Sequence, residues 1–219
     1  RKDGKMSEET DERPVAIVTG GGTGIGTACC RALAAEGFRV GIHYRSSEEG
    51  AKKLSAELDG SFTIKADLMD SESLDAMIKE LKTVAGRIDV LVNNAGLGMT
   101  KSLIETTSDE WHSLMDVNLS GPFRTMRAAL PGMQARGTGS IVNVSSICAW
   151  RAEAGQSAYG ASKAGVLALT RCVALEAAEY GVRVNAIVPS LAIHPHLEKV
   201  SSPEFLAQMV RENEVLGRA

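Results

Sequence analysis

Residues 15–26 read VAIVTGGGTGIG, an apolar run that meets a cluster of glycines. We expect Val15–Thr19 to form a buried strand and the residues from Gly24 onward to form a helix. Glycine allows a tight turn and lets a phosphate approach the backbone, while the first N–H groups of the helix attract an anion. This order of strand, turn and helix predicts a nucleotide site. The residues predicted to form it here are Gly20, Thr23, Gly24, Ile25 and Gly26.

The rest of the chain repeats the alternation of short apolar runs and longer amphipathic stretches. The predicted strands are Val15–Thr19, Arg39–His43, Ser61–Ala66, Asp89–Asn93, Ser140–Ser145 and Arg183–Val188. The predicted helices are Gly24–Glu36, Glu48–Leu58, Ser71–Val84, Ser108–Ala135 and Ser157–Tyr180, and we expect Pro131 to break or kink the fourth. Because no linker or repeat interrupts this pattern, it predicts one doubly wound α/β domain with a parallel sheet over residues 14–219.

Composition narrows the possible functions. The 219 residues carry a net charge of −3 and no basic stripe, which argues against a nucleic-acid partner. No apolar run is long enough for a membrane span, and no signal peptide is visible. The four cysteines have neither disulfide-framework nor zinc-site spacing, which favours a reducing cytoplasm and predicts no metal. We interpret the charged, aperiodic residues 1–13 as a disordered tail.

The residues after the second predicted strand bear on the choice of cofactor. They are His43-Tyr44-Arg45-Ser46-Ser47. An NAD site usually carries an acidic residue here, which accepts a hydrogen bond from the ribose 2′-hydroxyl, and that acid is missing. A guanidinium suits a 2′-phosphate, so Arg45 with Ser46 favours NADP(H) over NAD(H). The alternative is that Arg45 is a solvated surface residue.

A Tyr-x-x-x-Lys pair, Tyr159 and Lys163, indicates proton transfer. Residues four apart on a helix lie on one face, and Ser146 precedes the pair. An ammonium about 5 Å from the phenol would stabilise the phenolate by about 3 kcal/mol, or about 2 pKa units, at an effective dielectric constant of about 20. Ser146 could hold a carbonyl or hydroxyl oxygen beside the phenol. The alternative is a buried tyrosine with a surface lysine.

Taken together, these motifs resemble the short-chain dehydrogenase/reductase family over about residues 15–189. The family's glycine pattern matches Thr19, Gly20, Gly24 and Gly26, and its Asn-Asn-Ala-Gly matches residues 93–96. Its helix asparagine, serine and Tyr-x-x-x-Lys match Asn118, Ser146, Tyr159 and Lys163. The resemblance implies a Rossmann domain with six visible strands in the order 3-2-1-4-5-6.

The resemblance also implies the roles of individual residues. Tyr159 would be the general acid in carbonyl reduction, and Lys163 would lower the tyrosine pKa and bind the nicotinamide ribose. Ser146 would orient the substrate oxygen, and Asn118 would bend its helix and hold a water near Lys163. The cofactor would be lined by Asp67, Leu68, Asn94, Ala95, Gly96 and Pro189. Asp67 and Asn94 could alternatively cap a turn and a strand end, and Ser145 rather than Ser146 could face the site.

Two departures from the family pattern stand near the C-terminal end. After Pro189 the family usually has Gly and then Thr, where this chain has Ser190 and His194, so the carboxamide contact is in question. His194 and a second histidine, His196, are interpreted as loop residues rather than metal ligands. We expect residues 190–216 to form a substrate loop or lid. The family's seventh strand is expected to be missing from this chain.

The predicted function is therefore that of an oxidoreductase that transfers hydride between NADP(H) and a carbonyl or secondary alcohol. Among family branches, the sequence is nearest to reductases of 3-oxoacyl thioesters. One alternative is an NAD-dependent dehydrogenase of a sugar, polyol or steroid alcohol, and another is a non-catalytic nucleotide sensor or scaffold. Helices 108–135 and 157–180 are predicted to form a homo-oligomer, a dimer or tetramer, because the second is small and apolar nearly all round. The alternative is that a loop of the same chain covers this helix.

Overall fold

The computed structural model describes residues 11–193 and 201–213. Six strands form its sheet: β1 Val15–Val18, β2 Arg39–Tyr44, β3 Phe62–Lys65, β4 Val90–Asn93, β5 Gly139–Val144 and β6 Val182–Ile187. The helices are α1 Gly24–Ala35, α2 Glu48–Glu57, α3 Ser71–Val84, α4 Ser108–Met115, α5 Gly121–Arg136, α6 Ser157–Ala178 and α7 Pro203–Asn213. A π-helical turn, Asp116–Ser120, separates α4 from α5, and a short 3₁₀ turn, Ile147–Ala149, follows β5.

All pairs of neighbouring strands are parallel, and the order across the sheet is β3-β2-β1-β4-β5-β6. The predicted fold class and strand order are therefore confirmed. The direction in which successive strands are added reverses beside β1, whose neighbours are β2 on one side and β4 on the other. In a sheet of this kind a ligand crevice opens at the carboxyl ends of the strands beside that point.

Two hydrophobic clusters cover the faces of the sheet. One lies under α3, α5 and α6 and includes Ile17, Ile141 and Met133. The other lies under α1 and α2 and includes Val18, Val40 and Leu54. Because alternate residues of a strand point to opposite faces, Ile17 and Val18 each serve a different cluster. The central strands are buried on both sides, which explains why they read as continuous apolar runs.

The predicted long helix 108–135 is wrong in one detail. The break was expected at Pro131, but α5 continues through Pro131 to Arg136. The α-helix is interrupted earlier, by the π-helical turn at Asp116–Ser120. Pro131 removes one hydrogen bond of the helix, but Met126, Ala129 and Met133 are buried on the same side of α5 and hold the helix against the sheet. The remaining element boundaries agree with the prediction within two residues.

Some sequence predictions lie partly or wholly outside the described residues. These are most of the predicted tail 1–13, the histidines His194 and His196, and parts of the predicted lid 190–216. None of the helices that the structure describes is long and apolar enough to cross a membrane.

Candidate active site

A cavity of about 670 Å³ opens at the carboxyl ends of β1, β2, β4 and β5. It runs from Arg45 and Ser46 at one end to Tyr159 and Lys163 at the other. The predicted site residues on its wall are Gly20, Thr23, Gly24, Ile25, Arg45, Ser46, Asp67, Leu68, Asn94, Ala95, Gly96, Ser146, Tyr159, Lys163 and Pro189. Two predicted site residues, Gly26 and Asn118, do not line the cavity; each lies behind its wall.

The glycine turn between β1 and α1 needs its glycines for two different reasons. Gly20 and Gly24 have φ values of +64° and +53°, a region that side chains disfavour. Gly26 has an ordinary φ, but a Cβ there would lie 2.3 Å from the Gly20 carbonyl oxygen, so only glycine lets α1 begin so close to the turn. Thr23 gives α1 no side-chain cap, and the first N–H groups of the helix therefore face the cavity without a side-chain partner.

Asn94 fixes the turn from the side of β4. Its Nδ2 donates hydrogen bonds to the carbonyl oxygens of Thr19 at 2.9 Å and Gly20 at 3.2 Å. The Thr19 hydroxyl accepts hydrogen bonds from the N–H groups of Asn94 and Ala95. Asn94 thus holds the glycine turn in place as well as facing the cavity. Asn93 is buried instead and donates to Asn143 on β5 at 2.8 Å.

Arg45 and Asp67 stand at the far end of the cavity. Arg45 is exposed and contacts the Met69 sulfur at 3.7 Å, and within the described part of the chain no acidic side chain pairs with it. Its guanidinium is therefore available to an anion. Asp67 accepts a hydrogen bond from the Met69 N–H at 2.9 Å, so it caps this turn, as the alternative reading proposed, while also lining the cavity.

Ser146, Tyr159 and Lys163 meet at the near end. Ser146 lines the cavity together with the Tyr159 phenol, and its hydroxyl oxygen accepts a hydrogen bond from the Cys148 N–H at 3.2 Å. Ser145 takes another part: its hydroxyl donates to the Lys163 carbonyl oxygen at 2.8 Å and so ties β5 to α6. The Lys163 ammonium lies 5.8 Å from the centre of the Tyr159 ring and donates to the Val144 carbonyl oxygen at 2.9 Å. The structure thus brings the three predicted side chains to one place.

The expected lowering of the Tyr159 pKa does not occur. Burial raises the pKa of Tyr159, and the Ser146 side chain opposes this rise only in part. Burial also lowers the pKa of Lys163 to about 8. The reason for the difference is that burial of the phenol is the largest influence on its pKa, while the ammonium of Lys163 is directed at the Val144 carbonyl oxygen.

Asn118 lies in the π-helical turn and is fully buried. Its Oδ1 accepts from the Leu97 N–H at 2.7 Å, and its Nδ2 donates to the Leu97 carbonyl oxygen at 2.9 Å and to the Ser162 hydroxyl at 3.1 Å. Ser162 in turn donates to the Tyr159 carbonyl oxygen at 2.7 Å. Asn118 therefore connects the loop after β4 to the helix that carries Tyr159, and the bend implied for its helix is present as the π-helical turn.

The sequence prediction missed His43 as a cavity residue. It lines the cavity and is 2% exposed, and it hydrogen-bonds both to the glycine turn and to the end of β3. A histidine directly after the apolar residues Val40, Gly41 and Ile42 was the signal in the sequence, but no pattern of spacing shows which loops the imidazole joins.

The residues present fit a dinucleotide. The glycine turn has no room for Cβ atoms, and the N-terminus of α1 faces the cavity. Arg45 can bind an anion at one end of the cavity, and Lys163 lies at the other end. A doubly wound sheet whose crevice ends at a serine, a tyrosine and a lysine defines the class of dinucleotide-binding oxidoreductases.

Comparison with known proteins gives the family. Residues 14–204 match the family model of the short chain dehydrogenases. The chain therefore belongs to the short-chain dehydrogenase family, whose members are oxidoreductases that use a nicotinamide cofactor and act on a carbonyl or alcohol group.

Two curated relatives are similar over most of the chain. The "(5R,7aS)-5-hydroxy-7a-methyl-1-oxo-2,3,5,6,7,7a-hexahydro-1H-indene-carboxyl-CoA reductase" of Mycobacterium tuberculosis is 45% identical over 214 residues, which cover 95% of this chain and 81% of that protein. The 3-oxoacyl-(acyl-carrier-protein) reductase FabG of Staphylococcus aureus is 37% identical over 201 residues, covering 90% of this chain and 81% of the relative.

Among solved structures, a metagenomic short-chain oxidoreductase in complex with NADP superposes with a TM-score of 0.77. It is 36% identical, and the match covers 80% of this chain and 81% of that one.

Proposed function

We propose that this protein is an NADPH-dependent ketoreductase whose substrate is a 3-oxoacyl thioester or a similar ketone. The observation that carries the proposal is that Ser146, Tyr159 and buried Lys163 line the same cavity, which Arg45 lines at its other end.

The protonation states of the site suit reduction. NADPH, when bound, supplies hydride to the carbonyl carbon. Because burial raises the pKa of Tyr159, the phenol is protonated at neutral pH and can give its proton to the carbonyl oxygen. The Ser146 hydroxyl, which lines the same cavity, would hold that oxygen in place. Lys163 would bind the nicotinamide ribose, and its positive charge would stabilise the phenolate that remains.

The preference for NADPH rests on Arg45. Its exposed guanidinium lies on the cavity wall next to Ser46, where it can form charge-assisted hydrogen bonds with a 2′-phosphate. The solved relative bound to NADP is consistent with this preference.

The thioester substrate is supported by the two curated relatives. One is named as a reductase of a carboxyl-CoA compound and the other as a reductase of 3-oxoacyl groups on an acyl carrier protein. Trp150, Arg151 and Glu153 are exposed immediately after the 3₁₀ turn that follows Ser146, so a long substrate would meet them at the surface. Three residues of the predicted lid also line the cavity: Ser190, Leu191 and Ala192.

Cofactor titration followed by a substrate panel tests the proposal. We expect NADPH fluorescence to show tighter binding than NADH, and Arg45→Ala to remove most of that difference. We expect 3-oxoacyl-CoA thioesters to be reduced faster than keto sugars or steroid ketones, and polyols to be oxidised by NADP⁺ only slowly. Binding of the cofactor without turnover of any ketone would instead favour the nucleotide-sensor alternative.

The Tyr159→Phe variant tests the proton donor. It should bind NADPH as the wild type does, because only the hydroxyl is removed, and it should lose turnover by about three orders of magnitude. Steady-state rates and a fluorescence titration measure the two effects separately. Near-full turnover in this variant would overturn the assignment of Tyr159.

A further inference from the structure

We infer that His43 is a positioning residue that joins the glycine turn to the loop after β3 and so holds the adenosine half of the cofactor site in shape. The inference rests on the proposal that the cavity binds a nicotinamide dinucleotide, and it concerns a residue that the catalytic steps do not use.

The contacts of His43 reach two segments that are far apart in the sequence. The N–H of Gly20 donates a hydrogen bond to His43 Nδ1 at 3.1 Å. The other ring nitrogen, Nε2, lies 3.1 Å from the Ala66 carbonyl oxygen at the end of β3. The backbone takes part as well, because the Gly21 N–H donates to the His43 carbonyl oxygen at 2.9 Å.

These contacts require one form of the imidazole. Since Nδ1 accepts a hydrogen bond from Gly20, it carries no proton, and Nε2 must then carry the hydrogen that it donates to Ala66. Burial lowers the pKa of His43 to about 4, so the ring is neutral at physiological pH and holds this tautomer. A doubly protonated ring would present a second N–H to the Gly20 N–H in place of an acceptor.

The two segments that His43 joins both belong to the cavity. Gly20 lies on one side, and Asp67 and Leu68, which directly follow Ala66, lie on the other. Gly20 has a positive φ, and both of its backbone polar groups are bound. Its N–H donates to His43, and its carbonyl oxygen accepts from Asn94. Removing the imidazole therefore breaks the side-chain link between the turn and the loop after β3, while the backbone hydrogen bonds of Gly21 and Ala66 to β2 remain.

Three substitutions separate the two contacts. In His43→Asn, the amide oxygen can take the place of Nδ1 and keep the Gly20 contact, but nothing reaches Ala66. In His43→Gln, the amide nitrogen can take the place of Nε2 and keep the Ala66 contact, but Gly20 loses its acceptor. His43→Leu fills the space and loses both contacts. Thr170→Val serves as the control, because it removes buried hydrogen bonds to Val166 and Asn143 in a part of α6 that does not line the cavity.

The measurement is calorimetric binding of NADPH and of its two halves, adenosine 2′,5′-bisphosphate and reduced nicotinamide mononucleotide. We expect His43→Asn and His43→Gln each to weaken NADPH by about tenfold, the effect of about one hydrogen bond, and His43→Leu to weaken it more. The adenosine half should weaken by the same factors, whereas the nicotinamide half and the Thr170→Val variant should bind as the wild type does.

Two results would overturn the role of His43. One is unchanged NADPH affinity in folded His43→Asn and His43→Gln, and the other is equal weakening of both cofactor halves, which would indicate general destabilisation. If His43→Leu does not fold, the two amide variants still decide the question. Failure of the wild type to bind any of the three ligands would count against the proposed function and so be distinguishable from failure of the His43 variants alone.

Discussion

At the scale of single residues, burial controls the chemistry of the site more than the charge of its neighbours does. Tyr159 and Lys163 have pKa values moved in opposite directions by the same cause, since loss of water disfavours both a phenolate and an ammonium. The pKa of the lysine falls to about 8, close to neutral pH, while that of the tyrosine rises further above it. Lys163 is thus the group of this pair that changes its charge first as the pH rises.

This order predicts the basic limb of the pH profile. We expect kcat/KM for ketone reduction to fall as the pH rises through about 8, because Lys163 loses the charge that supports the Tyr159 phenolate. Rates measured between pH 6 and 10 would show the limb. The Lys163→Arg variant should reduce ketones more slowly, but its kcat/KM should not fall near pH 8, because a guanidinium stays protonated over this range. The same limb near pH 8 in the arginine variant would show that another group titrates.

His43 makes the stability of the fold depend on pH in the acid range. Its pKa is about 4 in the folded protein and about 6.5 in an unfolded chain, so the unfolded chain binds more protons between these values. The free energy of unfolding therefore falls as the pH drops from about 6.5 to about 4, by up to about 3 kcal/mol from this group.

Denaturant unfolding at pH 7 and pH 4.5 measures this dependence. The His43→Asn variant should lose less stability than the wild type between the two pH values, although it starts from a lower stability at pH 7. His112→Asn is the matched control, because His112 is exposed on α4 and its replacement should leave the difference unchanged. An equal pH dependence in the wild type and in His43→Asn would contradict the assignment.

At the scale of elements, the sequence predicted what depends on local pattern. The central strands were found because strands buried on both faces read as uninterrupted apolar runs, whereas β6 alternates buried and exposed residues. The glycine turn was found because its residue type is required by φ and by close approach. The π-helical turn at Asp116–Ser120 was not located, since its residues have the same pattern as an α-helix, and only the resemblance implied a bend at Asn118. The joining of loops by His43 and Ser162 depends on tertiary contacts between segments far apart in the chain.

Two glycines in helices illustrate the difference between a required and a replaceable residue. In Gly26→Ala the new Cβ would collide with the Gly20 carbonyl oxygen and the Asn94 side chain, so α1 must shift away from the turn. We expect this variant to lose about 2 kcal/mol of unfolding free energy and most of its affinity for NADPH. A Cβ added to Gly132 in α5 would lie 3.5 Å from the Arg136 side chain and would meet no other side chain of the described residues within 4 Å.

Gly132→Ala is therefore the matched control, and it should gain about 0.5–1 kcal/mol, because alanine loses less conformational freedom in a helix. Urea unfolding and a cofactor titration of both variants measure the two effects. A Gly26→Ala protein with wild-type affinity and stability would show that α1 can begin elsewhere.

At the scale of the whole molecule, the surface of α6 argues for a second copy of the chain. Its exposed side carries apolar residues at intervals of three or four: Ala161, Ala164, Ala168, Cys172 and Leu175. Leu175 is 80% exposed, and on neighbouring α5 the Phe123 ring is 45% exposed and lies 5.3 Å from the Arg127 guanidinium. A surface helix normally presents polar residues on that side, so this stripe predicts a homo-oligomer through α5 and α6.

Sedimentation velocity at micromolar concentration tests this prediction. We expect the wild type to sediment as a dimer or tetramer and Leu175→Glu to shift the population toward monomer, because a buried carboxylate without a partner opposes association. Ile104→Glu makes the same change at a residue that is 94% exposed on the loop before α4, and it should leave the oligomer intact. A monomeric wild type would refute the interface. Equal dissociation by both variants would place the contact surface elsewhere or indicate a general effect of the added charge, and the α6 stripe would then have no role in assembly.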